Sequence, residues 1–567
     1  MLLKYHLFIA TATLLSIKVT PTAASVIVTG VPVDPSVLSV PHRRNIVEFS
    51  ITGGPQWDLY IQALGAMQAA NETDPESYFQ ISGIHGRPFM EYDQTGGWTS
   101  STPLAWAGYC PHGVGDFGGD ANSMTYIDII KEVIFVPWHR AYVALFEQIL
   151  VAHAKTIAMT YPEEHRPVYI EAADTLRSPF WDWATDEAVP QSTVPETISI
   201  TVPENGQLAS KYVENPLYTF HFPKSVQDGA FGVFERNRIY RCDQPNMTYP
   251  DSANRSIKHR QHTKHLYDIF TRSTDFEDFV TFKNRGSSLE GLHGSIHWDA
   301  ACQGQFLSVA YTGFDPLFML HHSNVDRLWA YWQAMHPDQQ IFTGEHYGFE
   351  KWGTPDNSIL TTQSPLLPFR RSETEFHTSE SVLSIHDLGY SYHGLESKDK
   401  SAEDRREEVT RIINNLEPGF LKLGARAANG LLGGPRAVLT RYFAHIAVEA
   451  SEIERPCSIE VSMNGTYAGN LVLLSMPDSG IVRGEISLDS IQDTLRGKPS
   501  RVVLNTFETA LKIDIIKGDG SRIALADVPN LDVQIEQVRV AAPRWDTELP
   551  EYSESRMFGV RLVNAPY

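Results

Sequence analysis

Two histidines four residues apart constrain this chain more than any other feature of its sequence. The segment Glu290-Gly-Leu-His293-Gly-Ser-Ile-His297 places His293 and His297 at positions i and i+4. On a helix the two imidazoles lie on one face, one turn apart, where they can chelate a single ion. Further along, His322 shares a helical stripe with Val325, Trp329 and Trp332. This stripe predicts a third imidazole that points into the helical core.

A second set of three histidines precedes this one. His85 lies in Ile-His-Gly, His112 lies two positions after Cys110, and His139 lies in Pro-Trp-His-Arg. His139 shares a helix face with Val143, Phe146 and Leu150, so we expect it to face the interior. A lone histidine on an apolar face is more often a hydrogen-bonded core residue than a ligand. Two sets of three favour metal binding instead.

Two sites of three imidazoles each would leave a coordination position open at each ion, as in catalytic sites. Neutral imidazole suits zinc, copper and iron. Two copper ions held face to face can pass two electrons to O₂, whereas zinc has no redox chemistry. The residues alone therefore allow dicopper oxidation or hydrolysis by zinc, and they do not choose between them.

Helical spacing of apolar residues predicts four helices for the metal-binding part. They run from Pro55 to about Ala70, from Pro137 onward, from about Ser287 to Trp298, and from Asp315 to about Met335. Asp315 is a good N-cap and Pro316 suits the first helical position. We therefore expect a mainly α catalytic domain, residues 25–395, in which a four-helix bundle holds the site. The Pro-rich stretch Val189 to Pro223 is expected to be a long loop.

The residue pattern of the sequence changes near residue 440. Residues 396–440 are charged near their start and Gly-rich near their end, which predicts a linker or a surface-packed extension. Beyond them, four apolar runs separated by turn residues predict a smaller β-rich C-terminal domain, residues 441–567. The runs are Ser458–Val461, Gly469–Leu474, Arg501–Thr506 and Leu511–Ile516.

Charge and targeting signals indicate where the protein acts. The formal net charge of −21 disfavours nucleic acid and anionic membrane surfaces as partners. Residues 1–24 combine a basic start, an apolar stretch and small residues at Thr22-Ala23-Ala24, which predicts a signal peptide and secretion. Four glycosylation sequons agree, at Asn71, Asn246, Asn254 and Asn464. The four cysteines form no CxxC pair and permit one disulfide, whose partners the sequence does not identify.

Several motifs resemble one known family. The Pro137-Trp-His-Arg140 segment and the segment from Phe314 to Arg327, with its His-His-Ser-Asn-Val-Asp-Arg ending, resemble the two copper signatures of tyrosinases, catechol oxidases and hemocyanins. Cys110-Pro-His112 resembles the arrangement in which a cysteine sulfur is covalently joined to a copper-binding histidine. Tyr390-Ser-Tyr392 resembles the motif that closes the catalytic domain. The β-rich remainder resembles, more weakly, the C-terminal domain that shields the site in latent fungal enzymes.

The resemblance implies two copper ions as the cofactor and a role for individual residues. His85, His112 and His139 would bind the first copper, and His293, His297 and His322 the second. Cys110 and His112 would form a thioether. Glu290 matches an acidic residue that holds a water which helps to deprotonate phenols. Phe318 matches an aromatic that restricts access to the second copper, Val309 matches a small residue at the site mouth, and Asn324 and Asp326 match groups that support the ligands.

Two features depart from the family pattern. Gly294 follows His293 where many members that hydroxylate monophenols have Asn, which favours the oxidation of diphenols over the hydroxylation of monophenols. A Gly/Asp-rich insertion at Gly113 to Asn122 lengthens the spacing between His112 and His139. The C-terminal domain also lacks a CxxC copper-loading motif.

We expect an enzyme that uses O₂ to oxidise small phenols or o-diphenols to o-quinones, in pigment or secondary-metabolite synthesis. A hemocyanin-like O₂-binding protein is the alternative, although the Cys110-x-His112 pair and the small Val309 speak against it. A non-redox metal enzyme is a third possibility. The C-terminal domain is further expected to close the site until the chain is cut between Lys398 and Glu408. The motifs indicate no particular oligomeric state.

Overall fold

Helices are the main regular structure in the first two thirds of this chain. The computed structural model describes residues 25–95, 109–110, 133–242, 244–282, 286–348, 353–355, 358–428, 436–475, 480–495 and 497–560. In chain order its helices are α1 (Ile46–Thr52), α2 (Pro55–Ala69), α3 (Tyr78–Gly83), α4 (Phe135–Ala158), α5 (Arg166–Thr175), α6 (Lys224–Gln227), α7 (Asp251–Arg260), α8 (His262–Arg272), α9 (Phe276–Val280), α10 (Leu289–Ala301), α11 (Leu317–Met335), α12 (Ala402–Asn414), α13 (Pro418–Ala428), α14 (Asp489–Gln492) and α15 (Ser500–Ala510).

The four predicted helices correspond to α2, α4, α10 and α11, and local sequence explains their ends. Ser288 caps α10, because its side chain accepts a hydrogen bond from the Gly291 amide. The carboxylate of Asp315 accepts a hydrogen bond from the Leu317 amide at 2.9 Å, so the chain turns into α11 there. Helix α4 packs against both α2 and α11, which gives the mainly α architecture that the sequence predicts.

The β-rich C-terminal part is confirmed as two four-stranded antiparallel sheets. The strands of the chain are β1 (Thr197–Glu204), β2 (Gln207–Glu214), β3 (His346–Gly348), β4 (Ser358–Leu360), β5 (Pro365–Arg370), β6 (Phe376–Thr378), β7 (Val438–Glu449), β8 (Cys457–Met463), β9 (Thr466–Leu473), β10 (Ile481–Ser487), β11 (Leu511–Lys517), β12 (Arg522–Ile523), β13 (Asp532–Ala541) and β14 (Glu551–Gly559). The C-terminal sheets have the orders β10-β7-β13-β14 and β12-β11-β8-β9. Their facing apolar sides share one core, whereas Phe443 on β7 and Val538 and Val540 on β13 pack into the core of the helices.

Two local predictions need correction, and a third is narrowed to one of its two alternatives. Arg501–Thr506 is part of helix α15, not a strand, because Val503 and Phe507 lie one turn apart and bury one helical face. Residues 189–223 contain the β1–β2 hairpin rather than only a loop. Residues 396–440 contain α12 and α13, and α12 packs against α11, so this stretch is a packed extension rather than a plain linker.

Buried charges join the C-terminal sheets to the helical part. Arg441 on β7 pairs with Asp268 on α8, and both side chains are 3% exposed. Arg272 at the end of α8 pairs with Glu485 on β10 and Glu536 on β13 at 2.7 and 2.6 Å. A Cβ at Gly286 would lie 2.1 Å from the Arg483 carbonyl carbon, so this glycine allows the loop before α10 to touch β10 directly. The two parts therefore meet in a tight and charged interface.

The structure bears on only some of the predictions about targeting, glycosylation and disulfide bonding. Residues 1–24 lie outside the described residues. Among those that are described, no helix has the length and apolar character needed to cross a membrane. Asn71, Asn246 and Asn464 are exposed and Asn254 is half-buried. The disulfide that the sequence permits joins Cys242 to Cys302.

Candidate metal centre

Helices α10 and α11 bring four histidines together. His293 and His297 lie one turn apart on α10, and their Nε2 atoms are 2.9 Å apart. His321 and His322 come from α11, and one nitrogen of each of the four imidazoles lies within 4.8 Å of the others. All four side chains are buried. The structure thus assembles the predicted set of His293, His297 and His322 and adds His321, which the sequence analysis did not select.

The first histidine set is assembled as far as the structure describes it. His85, Cys110 and His139 each present one ligand atom within 4.8 Å of the others. The Cys110 Sγ lies 3.1 Å from Nε2 of His85. His112 lies outside the described residues. Its copper-binding role and its thioether to Cys110 therefore stay predictions.

The two sets face one another across the bundle. The rings of His139 on α4 and His322 on α11 are stacked, with centroids 4.0 Å apart and planes at 9°. Phe318, one turn before His322, contacts that ring at 4.2 Å and the His85 ring at 4.8 Å. Phe318 therefore lies beside both sets, and its role in restricting access to the second copper stays a prediction. Two ions held by these rings would be close neighbours.

Backbone carbonyls orient three of the imidazoles. The Nδ1 atoms of His85, His139 and His297 lie 3.0, 2.8 and 2.9 Å from the carbonyl oxygens of Val309, Phe135 and Phe306. A carbonyl oxygen can only accept, so each Nδ1 carries the proton and donates. The Nε2 atom of each ring then keeps its lone pair for a metal.

His322 supplies a direct test of whether the pocket suits a metal ion. It is fully buried, and within the described residues neither of its ring nitrogens has a hydrogen-bond partner. Burial, together with the neighbouring His139 and His293, lowers its pKa well below the usual 6.5. A buried neutral imidazole without a hydrogen bond is costly unless a metal satisfies it. Neutral imidazoles are donors that suit copper as well as zinc and iron, so the residues fit copper ions.

An ion-pair network ties together the two helices that face each other. Asp326, one turn after His322, accepts hydrogen bonds from Arg140, which follows His139 in the chain, and from Arg43. The hydroxyls of Tyr390 and Tyr392 donate to the same carboxylate at 2.7 Å. Asp326 thus links the two helices that carry His139 and His322, which is the contact a group supporting metal ligands would make. Asn324 is fully buried, and its side chain makes no hydrogen bond to the described residues.

The other predicted site residues are placed as follows. Glu290 is buried in the first turn of α10, one turn before His293. Val309 is half-buried in the connection between α10 and α11. Gly294 faces the C-terminal part, where a Cβ on it would lie 3.6 Å from Leu474 Cγ. A side chain from the C-terminal part therefore covers α10 beside His293.

Comparisons with known proteins agree with this geometry. A family model described as the common central domain of tyrosinase matches residues 75–335. A tyrosinase of Neurospora crassa is 30% identical over 397 residues, which cover 64% of this chain and 54% of that protein. A tyrosinase of Podospora anserina is 31% identical over 421 residues, which cover 70% of this chain and 69% of that protein. The match thus spans about half of the first relative and about two thirds of the second.

A solved structure of recombinant mushroom tyrosinase shares the fold, with a TM-score of 0.76, 22% sequence identity, and coverage of 95% of this chain and 100% of that one. A helical bundle with two facing sets of buried imidazoles is the architecture of a protein that can hold a pair of metal ions. The chain belongs to the tyrosinase family.

Proposed function

We propose that this protein is a copper-dependent polyphenol oxidase, which uses O₂ to convert phenols or o-diphenols to o-quinones. The observation that carries the proposal is the pair of facing imidazole sets, with His139 and His322 stacked at 4.0 Å. His85, His112 and His139 would hold one copper, and His293, His297 and His322 the other. Two copper ions would supply the two-electron redox chemistry that zinc lacks.

Electrons and protons balance in the proposed reaction with O₂ as the only oxidant. Oxidation of a diphenol to a quinone releases two electrons and two protons. One O₂ accepts four electrons from two diphenols and leaves as two waters. Glu290, buried and one turn before His293, is the group we assign to hold the water that takes up the phenolic proton. Phe318 would limit how closely a ring can approach the second copper, since it packs on His322.

Gly294 favours diphenols as the substrates. A glycine here offers no side chain to hold a water beside Glu290, and deprotonation of a monophenol depends on such a base more than diphenol oxidation does. We further propose that the protein is secreted and glycosylated, on the basis of residues 1–24 and the exposed sequons. A role in pigment or secondary-metabolite synthesis suits a secreted phenol oxidase.

Oxygen uptake by the copper-loaded protein tests the function. A monophenol (tyramine) and a diphenol (catechol) are supplied in parallel, to the full chain and to chain cut by a protease between Lys398 and Glu408. We expect uptake with catechol and little with tyramine. His297→Ala should abolish uptake, while His393→Gln, at a histidine that is 77% exposed outside the site, should leave it unchanged.

Either of two results would contradict the proposal. Reversible O₂ binding by the copper-loaded protein without oxidation of either phenol would favour the hemocyanin-like alternative. Absence of both uptake and copper binding would favour a non-redox metal enzyme. Equal uptake with tyramine and catechol would leave the oxidase in place and refute the role given to Gly294.

A further inference from the structure

The connection between α10 and α11, residues 302–316, touches both histidine sets. Its Phe306 carbonyl accepts a hydrogen bond from Nδ1 of His297 at 2.9 Å. Its Val309 carbonyl accepts one from Nδ1 of His85 at 3.0 Å. Thr312 Oγ1 lies 3.2 Å from Nδ1 of His297. One stretch of backbone therefore orients a ring in each of the two sets.

Two glycines let this connection approach the His85 segment closely. A Cβ at Gly86 would lie 2.6 Å from the Val309 carbonyl oxygen, and a Cβ at Gly313 would lie 2.5 Å from the Ser82 carbonyl oxygen. The Arg87 amide donates to the Ala310 carbonyl at 3.0 Å. Because no side chain fits between these backbones, a shift of the connection must move the His85 contact as well.

Residues 240–242 hold the connection at both of its ends. At the start, the disulfide joins Cys242 to Cys302, and the Cys242 amide donates to the Ala301 carbonyl at 3.0 Å. Next to it, the Gln305 amide donates to the Tyr240 carbonyl at 2.9 Å. At the far end, Arg241 forms an ion pair with Asp315, and these side chains are 5% and 0% exposed. Three consecutive residues thus fix both ends of the connection.

We propose that the Cys242–Cys302 disulfide and the Arg241–Asp315 ion pair are positioning elements of the metal centre. They clamp the connection whose carbonyls orient His85 and His297. If the clamp loosens, the Nδ1 hydrogen bonds of both rings weaken, and the rings can turn their Nε2 lone pairs away from the metal. The proposal rests on the proposed function only in taking copper as the metal.

The expected loss of copper affinity follows from the general behaviour of groups that orient metal ligands. Removal of such a hydrogen-bond partner typically weakens metal affinity by about 10- to 100-fold. A disulfide also stabilises a fold by restricting the unfolded chain, and this effect does not depend on the metal. A test must therefore measure copper affinity as well as stability.

The test uses the double variant Cys242→Ser/Cys302→Ser in the full chain. Copper affinity is measured by competition with a chelator of known affinity, and the thermal unfolding midpoint is measured on the metal-free protein. Cys457→Ala is the matched control, because Cys457 is fully buried in the C-terminal sheets and takes part in neither contact of the clamp. We expect at least about tenfold weaker copper affinity in the double variant. The control should lose stability but keep its copper affinity.

A second experiment starts from folded wild-type protein, so its result does not depend on whether the double variant folds. Metal-free wild-type protein is treated with a phosphine reductant in the absence of oxygen, the reductant is removed, and Cu(I) is added. The thiols are left unblocked, because a blocking reagent would also modify Cys110 beside His85. The same weakening of affinity is expected. Wild-type copper affinity in both forms of the protein would overturn the clamp and leave the proposed function standing. Failure of the untreated wild-type protein to bind copper would instead overturn the proposed function.

Discussion

Asp268→Asn should loosen the C-terminal part from the helices. The Asp268 carboxylate on α8 accepts hydrogen bonds from Arg441 on β7 at 2.5 and 2.9 Å, in a contact where both side chains are 3% exposed. Loss of one partner of a buried ion pair costs about 3–5 kcal/mol. Arg441 keeps a second partner, Asp489, at 2.6 Å, so we take the lower figure, about 3 kcal/mol. That figure corresponds to a roughly 150-fold rise in the separated population.

A buried thiol at the interface can report that population. Ser295 on α10 is 3% exposed and lines a cavity that Ala468, Gly469 and Glu485 of the C-terminal part also line. In a Ser295→Cys background, a thiol reagent should react only when the two parts separate. Asp268→Asn should then speed the labelling of this thiol by the same factor, about 150-fold.

The control is a variant that removes an exposed ion pair within the C-terminal part. Arg539→Gln removes an ion pair with Glu554 that lies within the C-terminal part, where the side chains are 50% and 61% exposed. An exposed pair contributes little, so labelling should stay at the background rate. If Asp268→Asn labelled no faster than Arg539→Gln, the buried pair would not hold the two parts together.

Three further predictions concern the ion pairs of Asp326, the close approach of Gly86 to the 302–316 connection, and the effect of pH on stability. Asp326→Asn should lower the free energy of unfolding by about 3–5 kcal/mol in denaturant titrations, since it leaves Arg43 and Arg140 buried with weaker partners; an equal midpoint would refute this. Gly86→Ala should reduce the copper bound per chain because its Cβ meets the Val309 carbonyl, whereas Gly65→Ala, with nothing within 4 Å, should leave it unchanged. Burial would raise the Glu536 pKa, but His445, Arg272 and Ser555 hold it below its ordinary 4.5; Glu485 contacts the same Arg272 nitrogen and also lies near His445. The stability from this group is therefore complete above about pH 4.5 and is lost as pH falls, so the unfolding midpoint should drop less steeply in Glu536→Gln than in wild type.

The helices of the metal centre were predictable because each carries a clear local signal. In α10 and α11 the apolar residues and the histidines repeat with the helical period, and Ser288 and Asp315 mark the starts. Strand β11 was likewise predictable from its alternation of buried and more exposed residues. These elements are defined by residues close together in the chain.

The errors arose where two local signals competed. The β-branched Val502 and Val503 suggested a strand, but Val503 and Phe507 bury one face of helix α15. The β1–β2 hairpin carries a recognisable turn at Asn205-Gly206, where both residues have positive φ, of 52° and 79°. That Asn-Gly signal was present in the sequence and would have identified the hairpin.

The rest of the site depends on tertiary contacts that leave no local trace. His321 precedes His322 by one position and points about 100° away around the helix, so periodicity did not select it. It joins the set only because α10 crosses α11 at that point, where the His293 and His321 rings stack at 4.9 Å. The carbonyls of Phe306 and Val309 act through the backbone, which any residue possesses. The residue types at positions 306 and 309 therefore could not have predicted this role.

Anomalous X-ray diffraction from copper-loaded crystals, recorded on both sides of the copper absorption edge, tests the central claim most directly. We predict two copper peaks per chain, one bounded by His85 and His139 and the other by His293, His297 and His322. In crystals of His322→Ala the second peak should weaken or vanish while the first remains. A single peak in the wild-type protein, or a peak away from these histidines, would contradict the account.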